Sequence, residues 1–133
     1  MRASIAIPLL FSLAACADST SGPPPGTRGV VLASVADGIS GSALLADEGA
    51  AVTTVWVTLQ GLAPGVAYSG SVGRGSCQSP GESVATLATM TTTTTAGSAV
   101  TPNVPDSVLQ AGFHIRYAKP GVPPPMVACG NID

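Results

Sequence analysis

Beyond residue 29 the apolar and polar positions of this chain alternate with a period of two. The clearest run is Val52-Thr53-Thr54-Val55-Trp56-Val57-Thr58-Leu59-Gln60, with Val55, Val57 and Leu59 on one phase and Thr54, Trp56 and Thr58 on the other. Successive strand side chains point to opposite faces, so this pattern predicts a strand with one buried face. Phe113, Ile115 and Tyr117 alternate in the same way with His114 and Arg116. Residues 30–35, 42–46, 66–72, 84–90, 99–101 and 126–129 are further strand candidates, rich in Val, Thr, Leu and Ala. No segment carries a helical period.

Turn chemistry separates these runs: Asp37-Gly38, Glu48-Gly49, Gly61, Pro64-Gly65, Pro80-Gly81, Ala96-Gly97 and Pro120-Gly121. The threonines at 91–95 either extend the strand before them, with Ala96-Gly97 as a hairpin turn, or form a loop; the strand is the expectation. Pro102, Pro105 and Pro123-Pro124-Pro125 are expected between strands, where a missing amide donor does least harm. About eight short strands at turn-marked intervals predict an all-β domain, an antiparallel β-sandwich.

The first residues follow a different rule. Met1-Arg2-Ala3-Ser4 leads into an apolar run, Ile5 to Phe11, that is too short to span a bilayer. It fits the hydrophobic region of a secretory signal. Leu13-Ala14-Ala15-Cys16 then resembles the lipobox of bacterial lipoproteins. The resemblance implies a signal peptide over 1–15, alkylation of the Cys16 thiol by a diacylglyceryl group, and acylation of the new amino terminus by a fatty acid such as palmitate. The alternative is an ordinary secretory leader cut after Ala15. Two or more acyl chains anchor stably, each buried methylene adding about 0.8 kcal/mol. Ala17, rather than an Asp, follows the cysteine, which points to the outer membrane in bacteria that sort lipoproteins. Residues 16–28 would be the lipidated cysteine and a Pro/Gly/Ser tether, with Pro23-Pro24-Pro25 in extended polyproline II. Residues 29–133 would be the domain.

Composition narrows the partners. Charged residues are 9 % of the chain and aromatics 4 %, with 16 Gly and 12 Pro. The formal net charge is -2. Losing the leader removes Arg2, leaving four basic against seven acidic side chains, a balance of -3. Without a basic patch, nucleic-acid binding is excluded as an expectation. The expected partners are a membrane, through the lipid, and an envelope protein or glycan.

Of three cysteines, Cys16 is assigned to lipid. Cys77 and Cys129 form an even pair in an exported domain, which is most simply a disulfide. Two thiols on a metal would need further ligands, and His114, the sole histidine, has no spacing that links it to them.

Three motifs are more specific. Residues 57–65, with Gly61-Leu62-Ala63-Pro64-Gly65, look like the strand and turn of Cu/Zn superoxide dismutases and their relatives. Gly75-Ser76-Cys77 and Ala128-Cys129-Gly130-Asn131-Ile132 resemble the two segments holding that family's intramolecular disulfide. The chordin-type CHRD domains have similar patterns. The resemblance implies an immunoglobulin-like Greek-key sandwich of eight strands. It does not imply the activity. The family's His-x-His pair falls on Ser71 and Gly73, or on Gly70 and Val72, according to the motif counted from. Its later histidines fall in Gln78-Ser79-Pro80-Gly81 and near Tyr117 or Ala118. None of these is histidine. Copper and zinc sites need several converging imidazoles, so no metal, no cofactor and no enzymatic activity are expected. His114 is expected at the surface beside Arg116.

Other chemistry is poorer. Gly73-Arg74-Gly75-Ser76 has no nucleophile elbow. Asp47-Glu48 reads as a solvated turn. Gly73-Arg74-Gly75 reads as an exposed loop rather than an anion cradle. Trp56 is out of phase with Val55 and Val57, which leaves it either packed on a second sheet in a shifted register or exposed on a binding surface.

Overall fold

The computed structural model describes residues 27–133. The leader, Cys16 and the tether up to residue 26 lie outside the described residues. Eight strands follow in order: β1 (Thr27–Ser34), β2 (Ser40–Asp47), β3 (Val52–Gln60), β4 (Tyr68–Gly75), β5 (Pro80–Met90), β6 (Ala96–Pro105), β7 (Phe113–Ala118) and β8 (Met126–Asn131). One 3-10 turn, Asp106–Val108, joins β6 to β7. β1 starts two residues ahead of Gly29, where the alternation becomes legible.

All pairings are antiparallel, and the hydrogen-bonded order is β5-β4-β7-β8-β1-β2-β3-β6. The expected all-β, antiparallel arrangement of eight strands is present, and the strands join into a single, nearly closed, barrel-like sheet. The join is β1. Its residues 27–32 pair with β2, while Ala33 and Ser34 pair with Cys129 and Ala128 of β8. Across the opposite seam, β5 and β6 meet through the amide of Ala88, which donates to the Thr101 hydroxyl at 2.7 Å.

The inward phase fills the interior. Leu32, Leu45, Val55, Val57, Leu59, Val72, Leu87, Ile115, Tyr117 and Val127 are buried in one apolar cluster. Tyr117 lies flat against Gly70, where a Cβ would collide with the phenol ring. Its hydroxyl donates to the Ala88 carbonyl at 3.0 Å, and burial pushes its pKa up to about 12. The 61–65 turn closes one end. Gly61 (φ +84°) passes so close to the Gly38 carbonyl that a Cβ would sit 2.6 Å from its oxygen. Leu62 is thereby turned into the core, and the amides of Leu62 and Gly65 donate to the Thr95 and Thr92 carbonyls at 2.9 and 2.8 Å.

Two local expectations are overturned. Residues 91–95 form a loop, and Ala96 and Gly97 open β6 rather than turn a hairpin. The cause is side-chain competition with the ladder: the Thr94 hydroxyl donates to the Ala96 carbonyl at 2.8 Å, and the Thr92 hydroxyl reaches the same oxygen at 3.1 Å. Pro102 and Pro105 lie within β6, not beside it. They are tolerated because β6 ends the hydrogen-bonded order and because its register shifts at this point, with Asn103 at φ +59°.

Candidate functional site

The outer surface of the barrel offers two faces that differ in chemistry. On the β1-β2-β3-β6 half, register sets Gly29, Leu44, Trp56 and Val100 side by side in one row across four strands. The next row is Val31, Ser42, Thr58 and Ser98. Leu44, Trp56 and Val100 are exposed by 42, 49 and 42 %, and Val31 by 77 %. No charged residue stands in either row. Trp56 is thus exposed on the outer phase while Val55 and Val57 are buried, which decides the question its phase raised.

The β5-β4-β7-β8 half carries the polar cluster. Thr86, Ser71, Arg116 and Cys129 form one row, and Gly73, His114 and Asn131 the next. Against the expectation of a surface side chain, His114 is fully buried. It fits only because residue 73 is glycine; a Cβ there would lie 2.7 Å from the imidazole. His114 Nδ1 lies 3.2 Å from the Gly75 carbonyl, and Arg116 NH1 lies 3.2 Å from Nε2. The carbonyl can only accept and the guanidinium can only donate, so the ring is neutral, protonated on Nδ1, with its Nε2 lone pair engaged by Arg116. Desolvation holds the imidazole below its ordinary value of 6.5; the Gly75 bond opposes this, and the Arg116 charge adds to it.

Beside His114 runs the loop that carries Cys77. Cys77 and Cys129 form a disulfide, with Cα atoms 5.9 Å apart, that ties the β4–β5 loop to β8. The Cys77 amide donates to Asn131 Oδ1 at 2.7 Å, and Asn131 Nδ2 donates to Gln78 Oε1 at 3.3 Å. Ser76 Oγ accepts from the Ser79 amide within this loop.

The remaining candidates are dispersed. Gly73, Arg74 and Gly75 belong to β4 rather than to a loop. Arg74 is exposed, pairs with Glu82 at 3.2 Å and lies over the Phe113 ring. Asp47 sits at the end of β2, where Oδ1 accepts from the Gly49 amide in a solvated turn. Among the described residues, no three His, Cys, Asp or Glu side chains gather where they could hold a metal ion. None of the residues on which the family's histidines would fall carries an imidazole. Comparison with protein-family models, curated proteins and solved structures finds no match.

Proposed function

We propose that this chain is a lipid-anchored, non-enzymatic binding module of the cell envelope, and that its recognition surface is the uncharged outer face around Trp56. The occupant we assign to it is a neutral glycan. The observation that carries the reading is the Leu44–Trp56–Val100 row, exposed and flanked by the hydroxyl row of Ser42, Thr58 and Ser98. An indole presents an apolar plane with a polar edge. A pyranose presents the complementary surface, apolar C–H faces rimmed by hydroxyls. An uncharged face has no electrostatic preference for an ionic partner.

The anchor rests on the leader and the lipobox-like Leu13-Ala14-Ala15-Cys16, with Ala17 favouring the outer membrane. A superoxide-dismutase-like or chordin-like Greek-key sandwich remains our reading of the fold family. Strand order supports it: β6 leaves the β4–β5 hairpin to pair with β3, and β7 returns to pair with β4. The non-enzymatic reading is supported by His114, whose two ring nitrogens are both engaged by protein groups.

Trp56 is the only tryptophan, so its fluorescence reports on this face alone. In the full chain carrying Cys16→Ser, titration with neutral glucose or N-acetylglucosamine oligomers should change the emission saturably. Calorimetry should show the binding lost in Trp56→Ala and weakened in Leu44→Asp. Binding that survives both substitutions sinks the assignment of the face. Stoichiometric copper or zinc in the purified chain, lost in His114→Ala, would overturn the non-enzymatic reading.

A further inference from the structure

The polar half of the barrel carries a second site, independent of Trp56. Ser71 and Arg116 are register neighbours on the outer face, with Thr86 of β5 beyond Ser71 and Ser69 two residues along β4. The β7–β8 connection brings Pro124 alongside, and Met126 opens β8. With Ala118 these residues wall an open cleft of about 390 Å³. Arg116 is half-buried at its edge. Its Nε donates to Ser71 Oγ at 3.2 Å, and its NH1 is directed to the Gly81 carbonyl and to His114 Nε2 at 3.1 and 3.2 Å. These bonds fix the plane of the guanidinium and leave its NH2 outside them. Arg74 and Lys119 each have a carboxylate partner, Glu82 and Asp37, and exposed Arg28 is engaged by the backbone oxygens of Leu109 and Asp133. Among the described residues Arg116 has no carboxylate partner. A positioned, half-buried cation with no counter-charge, at the edge of a cleft with hydroxyls on one side and apolar side chains on the other, is built for an anion with a hydrocarbon part.

We propose that this cleft binds a small amphipathic carboxylate. Its carboxylate group meets the free side of Arg116 and the exposed Thr86 hydroxyl. Its hydrocarbon lies against Pro124, Met126 and Ala118. Charge-assisted bonds from a guanidinium to a carboxylate are among the stronger hydrogen bonds of proteins, more so in a partly dry cleft. A monoanion is selected because the site supplies one cation; a dianion would place an uncompensated charge against the apolar wall.

The probe is hexanoate, with neutral hexanamide and inorganic phosphate as comparators, on the full chain carrying Cys16→Ser. Calorimetry should give saturable hexanoate binding, with hexanamide weaker by about tenfold or more. Amide resonances of Ser69, Ser71, Thr86 and Arg116 should move on titration. Arg116→Gln should weaken hexanoate to the level of hexanamide. Because Arg116 also supports His114, Met126→Glu provides a second route: it leaves the guanidinium in place, sets a like charge on the wall, and should also weaken hexanoate about tenfold. Arg74→Gln should leave binding unchanged. Equal affinity for hexanoate and hexanamide, phosphate binding tighter than hexanoate, no binding at all, or loss of binding in Arg74→Gln would each overturn the proposal.

Discussion

At the scale of single residues, His114 departs furthest from what its pattern suggests. Alternation correctly assigns it the outer phase, opposite Ile115 and Tyr117. It carries no information about what covers an outer face. Here Gly73 makes room beneath the ring, and the Gly75 carbonyl and the Arg116 guanidinium engage its two nitrogens. The consequence is measurable. The folded imidazole titrates below its ordinary value of 6.5, chiefly through desolvation. Above that value both folded and unfolded chains carry a neutral ring, and stability does not depend on it. As pH falls through that value the unfolded chain takes up a proton that the folded chain refuses, so stability declines until the lowered folded pKa is reached. Because the chain has one histidine, and carboxylates titrate lower, the interval from about pH 7 to about pH 5 isolates this group. Urea midpoints should fall across it, and His114→Gln should flatten the slope. An unchanged slope in His114→Gln would show that the ring accepts its proton in the folded state.

At the scale of elements, legibility tracked how strictly a strand obeys its period. β3 alternates strictly from Val55 to Gln60 and is readable from sequence to its ends, although Thr53 and Thr54 are both buried where its register to β6 shifts. β6 is not: Pro102 and the positive φ of Asn103 break its pattern just where its register shifts against β3. Only its residues 99–101 are visible as a strand, although the element runs over Ala96–Pro105. The threonine loop misleads for the opposite reason. Its β-branched side chains favour strands as residues, but their hydroxyls here satisfy the Ala96 carbonyl locally. The Cys77–Cys129 pairing, by contrast, is legible from the count of cysteines together with the export that the leader leads one to expect. It closes a loop of 52 residues, for which chain entropy predicts about 4 kcal/mol of stabilisation. Replacing both cysteines by Ala should lower the unfolding free energy by that order, read as a drop in urea midpoint at constant slope. The β4–β5 loop should lose amide protection first, since the disulfide and the Asn131 bonds attach it to β8. A double variant as stable as the parent would place the stabilisation elsewhere.

At the scale of the whole molecule, one sheet divides its outer surface into a neutral half around Trp56 and a polar half around Arg116. The sequence shows the phase of each residue but not this division, because it arises from strand order: β1 pairs with β2 along most of its length and with β8 at its end. The cysteines connect that body to the anchor we assign. Cys77 and Cys129 are spent on each other. Cys16, the third of three, has no intrachain cysteine left to pair with, as lipidation requires. Among the described residues the core of the barrel is filled from Val30 to Ile132. Cys16→Ser should therefore move the protein from the membrane fraction to the soluble fraction while leaving the disulfide intact, read by thiol labelling under non-reducing conditions. The tryptophan emission of the released chain should match that of the detergent-extracted parent, since Trp56 lies on the barrel rather than on the tether. Retention of the processed variant in the membrane fraction would refute lipidation at Cys16, and release with labelled Cys77 or Cys129 would mean that the anchor is needed for the exported fold.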